Sequence, residues 1–192
     1  MKKIIIMISG RGSNMEAIIK NCHSGQLQNL CQVMAVFSDK PAAAGLQIAQ
    51  EMGIPTYSIL ARGIKRAEYN RQLAAYLQSK NPDLIVLAGY MKVLPAAIIA
   101  KFPQRIINIH PADTRLHQGL HGYRWAWEKQ LPSTKITVHF VDAGLDTGQI
   151  IAQRQVELRA CKSLEEVEKV GLQVEHQFYS ECLAELMKKN DL

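Results

Sequence analysis

Apolar residues along this chain fall into short unbroken runs separated by stretches with helical spacing. Ile4 to Ile8 form a run without alternation, the pattern of a strand buried on both faces of a parallel sheet. After a glycine-rich turn, Met15, Ile18, Ile19 and Cys22 recur at helical spacing and complete a βα unit. The arrangement repeats. VMAVFS at 33–38 precedes a helix predicted over 42–52, and a helix near 66–78 precedes DLIVLAG at 83–89. A short helix from about Pro95 leads into RIINIH at 105–110, another apolar strand.

Beyond that strand the pattern changes. Residues 112–122 are polar and aperiodic, a length that inside a compact domain usually marks a functional loop, so a lid is expected there, followed by a helix holding Trp125 and Trp127. KITVHFV at 135–141 alternates, with Ile136, Val138 and Phe140 on one face and Thr137, His139 and Val141 on the other. QIIAQRQVEL at 149–158 reads as a further strand, antiparallel to its predecessor. Ser163-Leu164-Glu165-Glu166 fits a capping box and opens a long helix towards Lys188. Strands alternating with helices predict an α/β fold: a Rossmann-like, mostly parallel twisted sheet with helices on both faces and an antiparallel strand towards the C-terminus.

Composition narrows the setting. With 192 residues, 47% of them hydrophobic, the chain can bury a sizeable core, and at roughly 100–200 residues per domain the expectation is one domain spanning 1–192. The run after Met1-Lys2-Lys3 stops at Ser9, short of the roughly 7–15 apolar residues of a signal peptide, and no segment reaches the ~18 of a membrane span. Cys22, Cys31, Cys161 and Cys182 are scattered, without metal-site spacing, and read as free buried thiols of a cytoplasmic protein. The net charge of +6 is dispersed and lacks interleaved aromatics, which favours small anionic ligands over nucleic acid; neither nucleic acid nor membrane is expected as a partner.

Ligands of open α/β sheets bind beyond the carboxyl ends of the parallel strands. Ser9-Gly10-Arg11-Gly12-Ser13-Asn14 ends the first strand there, and its free N–H groups, with the Ser13 hydroxyl and Asn14 amide, suit a phosphate; an ordinary βα turn is the plain alternative. The motif lacks the G-K-[ST] ending of a Walker loop, and Met15 stands where a dinucleotide fingerprint has its third glycine, although Asp39 keeps a ribose contact open. Asn108 and His110, two apart, project from one face of a buried strand. Taken alone they fit either catalysis or local ties, Asn108 to a loop and His110 to a helix end. Asp142 and Asp146 are turn residues or, if one lies beside His110, a carboxylate that raises the imidazole pKa. His110, Asp113, His117 and His121 lie close in sequence without a regular ligand spacing, so no metal site is expected. Without a G-x-S-x-G elbow or a cysteine in a nucleophile context, attack by a substrate nucleophile fits better than a covalent intermediate.

ISGRGSN near the start, LAGYMKVL at 87–94, N-x-H-P at 108–111, H-F-V-x-x-x-L-D-x-G at 139–148 and VEH at 174–176 together resemble the phosphoribosylglycinamide formyltransferase family, over nearly the whole chain. The resemblance implies a folate-dependent formyltransferase of purine biosynthesis, with 10-formyltetrahydrofolate as co-substrate donating to the amine of glycinamide ribonucleotide. It also implies a monomer or homodimer that binds a reduced folate and a phosphorylated amine. Asn108, His110 and Asp146 match the family's catalytic trio, Gly12, Ser13 and Asn14 its phosphate turn, and Glu175 its ribose contact. Met91, Lys92, Val93 and Leu94, with Arg66 and Asn108, match its folate site, and His139 sits where the family has a histidine near the trio.

The chain departs from that pattern after Pro111. The family continues with serine, two aliphatics and proline before an aromatic and a glycine, whereas here Ala112-Asp113-Thr114-Arg115-Leu116-His117-Gln118-Gly119 follows, keeping only the glycine. Lys92 replaces an arginine, and Gln149 replaces a proline.

Overall fold

The computed structural model describes residues 1–189. The chain runs β1 (Lys2–Ile8), α1 (Ser13–Ser24), β2 (Cys31–Ser38), α2 (Ala44–Glu51), β3 (Thr56–Ser58), α3 (Arg66–Lys80), β4 (Leu84–Leu87), α4 (Ala96–Ile99), β5 (Ile106–His110), α5 (Gly122–Glu128), β6 (Ser133–Phe140), β7 (Ile150–Glu157) and α6 (Leu164–Lys188). The strands form one sheet in the order β3-β2-β1-β4-β5-β6-β7. β1 to β5 are parallel; β6 is reversed against β5, and β7, antiparallel to β6, returns to the common direction.

The lack of alternation in β1 has a direct cause. Ile4, Ile6 and Ile8 enter an apolar cluster with Met15 and Ile18 of α1 and Tyr179 and Leu183 of α6, while Ile5 and Met7 face the other way, against Leu73 and Leu77 of α3. Both faces are covered, and each fully buried aliphatic contributes about 1.5–3 kcal/mol. The order reverses between β1 and β4, so the crevice beyond their carboxyl ends is the switch point where such sheets bind ligands. Two hydrogen bonds join the loops there: the Ser9 N–H donates to the Gly89 carbonyl at 3.0 Å, and the Met91 N–H to the Ser9 hydroxyl at 2.9 Å.

The sequence pattern misses β3, whose three residues pair with β2 at the sheet edge and are too short to show a period. α2 starts at Ala44, two residues later than expected, because Ala43 is extended at its N-cap. At α6 the Ser163 hydroxyl accepts from the Glu166 N–H, as the capping box requires, but the Glu166 carboxylate takes the Lys162 N–H at 2.6 Å instead of that of Ser163. Of the four free cysteines, Cys31 and Cys182 are buried as expected, whereas Cys22, on α1, and Cys161, in the loop before α6, are only half-buried. Among the described residues no helix is long and apolar enough to cross a membrane.

Candidate active site

β5 delivers the first two groups. Ile107 and Ile109 enter the cluster under α6, so Asn108 and His110 turn to the opposite face and emerge at the strand's carboxyl end. In the antiparallel register Asn108 lies opposite His139 on β6. The turn between β6 and β7 then carries Asp146 back over both. Asp146 holds a left-handed φ of 53°, a conformation a short polar side chain tolerates.

The carboxylate of Asp146 is the hub. Its Oδ1 accepts from the Asn108 amide at 3.3 Å and lies 3.5 Å from His139 Nε2, while its Oδ2 accepts the Gly119 N–H at 2.8 Å and lies 3.4 Å from His110 Nδ1. Carbonyls only accept, which fixes two donors: His110 Nε2 donates to the His117 carbonyl at 3.1 Å, and His139 Nδ1 to the Phe140 carbonyl at 2.8 Å. The trio expected from the sequence is therefore assembled, with His139 beside it. The 113–119 segment lies over it, joined through His117 and Gly119.

The protonation of His110 differs from expectation. Asp146 does lie beside the ring, but burial is the larger influence and holds the imidazole pKa below its ordinary 6.5, against the upward pull of the carboxylate and the His117 carbonyl. For Asp146 burial works upward, yet the contacts to His139, the Gly119 N–H and His110 outweigh it and keep the carboxyl ionised. A histidine kept neutral by the fold contributes stability above pH 6.5 that is lost as pH falls towards its folded value. An NMR titration of the His110 ring is expected to give a midpoint below 6.5, moving lower still in Asp146→Asn because the upward pull of the carboxylate is gone. A midpoint above 6.5 in the parent would overturn this assignment.

Around the trio, Met91, Lys92, Val93 and Leu94 form one wall of a cleft, and Leu120, Leu145 and Asp142 the other. Met91 and Val93 are more than half exposed, an apolar lip facing the trio. Arg66 is not in this cleft. It lines an adjoining one, separated by Tyr90, Lys92, Val93 and Leu94, which belong to both. The Lys92 ammonium sits 5.3 Å over the Tyr69 ring.

At the N-terminus of α1, Gly12 takes a left-handed φ of 75°, and a Cβ there would meet the Gly45 backbone at 3.3 Å. No side chain caps this helix, so its first N–H groups remain available. Glu175 is buried behind the turn, accepting from the Asn14 amide at 2.6 Å and the Tyr123 hydroxyl at 2.5 Å; burial raises its pKa against these bonds. Gly171 makes the Tyr123 bond possible, since a Cβ would stand 2.2 Å from the tyrosine ring. Asp39, the ribose candidate of a nucleotide reading, is buried and engaged by the Ser9 hydroxyl at 2.6 Å.

Sequence reasoning missed the Gly119 N–H and the Tyr123 hydroxyl. A backbone donor has no side-chain signature, and the tyrosine is recognisable only once α5 and α6 pack. The His117 ring stacks on Trp125 at 4.9 Å, and among the described residues no three His, Cys, Asp or Glu side chains are grouped as metal ligands.

Comparison with known proteins places these features in context. The pattern of the family described as formyl transferase matches residues 2–183. The phosphoribosylglycinamide formyltransferase of Haemophilus influenzae is 39% identical over 180 residues, covering 93% of this chain and 84% of that one. The Bacillus subtilis protein of the same name is 30% identical over 192 residues, covering 100% and 97%. The crystal structure of phosphoribosylglycinamide formyltransferase from Bacillus halodurans superposes with a TM-score of 0.92 at 34% identity, covering 99% of this chain and 97% of that one.

Proposed function

The chain belongs to the formyl transferase family, and we propose that Asn108, His110 and Asp146 carry out its chemistry. It transfers the formyl group of 10-formyltetrahydrofolate to the primary amine of glycinamide ribonucleotide, a step of de novo purine biosynthesis. The observation that carries the assignment of the site is the convergence of an amide, an imidazole and a carboxylate at one end of a cleft with an apolar lip.

The amine nitrogen attacks the formyl carbon, a C–N bond forms, and the carbonyl oxygen becomes an oxyanion. The Asn108 amide donates to that oxygen. The oxyanion also favours the charged form of His110, so a ring that burial keeps neutral at rest gains a proton as the tetrahedral centre forms. The amine loses one proton, which the Asp146 and His110 pair accepts, and N10 of the folate gains one as its bond to the formyl carbon breaks. The carbonyl then reforms, leaving a formamide and tetrahydrofolate with no net proton gained. Losing one oxyanion donor of this kind typically costs 10²–10³ in kcat, about 2.7–4 kcal/mol.

The remaining residues bind. The N–H groups of Gly12, Ser13 and Asn14 hold the phosphate at the positive end of α1, supported by the absence of a competing side-chain cap. Glu175 orders Asn14 and, as the family resemblance implies, contacts the ribose carried on that phosphate. Met91 to Leu94 receive the pteridine, and Arg66, in the adjoining cleft, serves a part of the folate remote from the formyl group. The chain works as a single formyltransferase domain, in the cytoplasm, as a monomer or homodimer.

A panel of primary amines assayed with 10-formyltetrahydrofolate tests the acceptor. Turnover with glycinamide ribonucleotide at least tenfold above any amino sugar or unphosphorylated amine is expected, since only the ribonucleotide engages the α1 turn. Strong turnover with another amine and none with glycinamide ribonucleotide would reverse the assignment.

A further inference from the structure

We propose that Asp113 is a positioning residue for formyl transfer, holding through Lys135 and Gln153 the loop that supplies backbone groups to His110 and Asp146. The inference rests on the reading of the trio given above. At position 113 this chain buries a carboxylate, and a buried carboxylate is costly unless fully hydrogen-bonded. Asp113 is so bonded. Its Oδ2 accepts from the Lys135 ammonium on β6 at 2.9 Å; its Oδ1 accepts from the Gln153 amide on β7 at 3.0 Å and from the Arg115 N–H at 3.1 Å. Gln153 also donates to the Thr137 hydroxyl at 2.9 Å, which in turn donates to the Ala112 carbonyl at 2.7 Å.

The tether reaches the chemistry through a short path. The Asp113 carbonyl accepts the N–H groups of Leu116 and His117 at 2.9 and 3.0 Å, closing a turn. That turn sets the His117 carbonyl on His110 Nε2 at 3.1 Å and, two residues on, the Gly119 N–H on Asp146 Oδ2 at 2.8 Å. The far side of the turn is fixed by the His117 ring, stacked on Trp125 and donating to the Leu120 carbonyl at 3.0 Å. Asp113 touches neither reacting atoms nor substrate; it acts through two main-chain groups. Strands β6 and β7 already carry His139 and flank the Asp146 turn, so the same pair of strands fixes the carboxylate and the loop that orients it.

The test compares Asp113→Ala, Lys135→Met and Lys135→Arg with the parent, measuring kcat and KM for both substrates and the NMR midpoint of the His110 ring. Asp113→Ala is expected to lower kcat about 10–100-fold with KM changed less than kcat, because an error near 1 Å in a catalytic group has effects of that order. Its His110 midpoint should rise towards 6.5, because the loss of burial, the larger influence on the ring, outweighs the loss of the upward pull of the His117 carbonyl. Lys135→Met moves both readouts in the same direction by a smaller factor, and Lys135→Arg, which keeps the charge, restores them. A folded Asp113→Ala with kcat and midpoint unmoved would overturn the proposal. If that variant fails to fold, Lys135→Met, a change at a partly exposed side chain, decides in the same terms. Absence of formyl transfer in the parent would sink the assigned function instead, and the His110 midpoint would still decide whether the tether holds the loop.

Discussion

Asp146→Asn is expected to lower kcat about a thousandfold, close to 4 kcal/mol of transition-state stabilisation, while KM for the folate changes by no more than about threefold. The substitution keeps shape and volume but removes the charge that, in the proposed mechanism, accepts the amine proton and balances the imidazolium formed in the transition state. It also replaces one carboxylate oxygen by an N–H₂ donor facing either the Gly119 N–H or the Asn108 amide, both of which are donors themselves. The cleft wall of Met91 to Leu94, proposed to receive the folate, lies on a different segment and is untouched. Steady-state kinetics with both substrates varied, together with a folate-binding titration, check the split. A kcat within tenfold of the parent would remove Asp146 from proton transfer, and a matching loss of folate binding would make it a structural residue of the cleft.

Gly148→Ala is expected to produce the second large effect, on stability and activity together. A Cβ at Gly148 would stand 1.7 Å from the Phe140 carbonyl oxygen, a backbone atom at the end of β6 that cannot swing aside. The hairpin must therefore shift, at about 3 kcal/mol on the scale of overpacked sites. For a chain of this length that lowers Tm by roughly 6–12 °C. Because Asp146 lies two residues earlier on the same turn, kcat falls with it. Gly144→Ala is the control: its Cβ would meet the Thr147 hydroxyl at 1.9 Å, a side-chain atom that can rotate away. Thermal unfolding and kcat measured on both variants separate the cases, and equal effects from the two would contradict the distinction between backbone and side-chain obstruction.

Much of this architecture is legible from periodicity. The unbroken runs of β1 and β4 and the apolar spacing of α1 each report a surface that must leave water, and that requirement is written residue by residue in the chain. The same logic places Asn108 and His110 together, since alternate residues of a strand share a face wherever the strand sits. The edge strand β3 escapes because three residues hold too little apolar surface to leave a pattern.

The active site divides along a similar line. That Asn108, His110 and Asp146 belong together is what the family resemblance implies, and the glycines of the 9–14 turn with its place at a strand end make it a candidate anion site. Three things do not follow. The charge state of His110 depends on how deeply the ring is buried, and burial is a property of the packed molecule; the neighbouring carboxylate foreseen in the sequence is present but is the lesser influence. The place of Arg66, in the adjoining cleft rather than beside the trio, depends on the path of the 90–94 segment between the two. The service of Asp113, which in the sequence is only a departure from a family pattern, depends on Lys135 and Gln153 arriving from two other strands. Periodicity and motif are local, so the chain alone specified which groups are kept and which faces are buried. Distance, desolvation and the pairing of charges are sums over neighbours remote in sequence, and only the folded structure decides them.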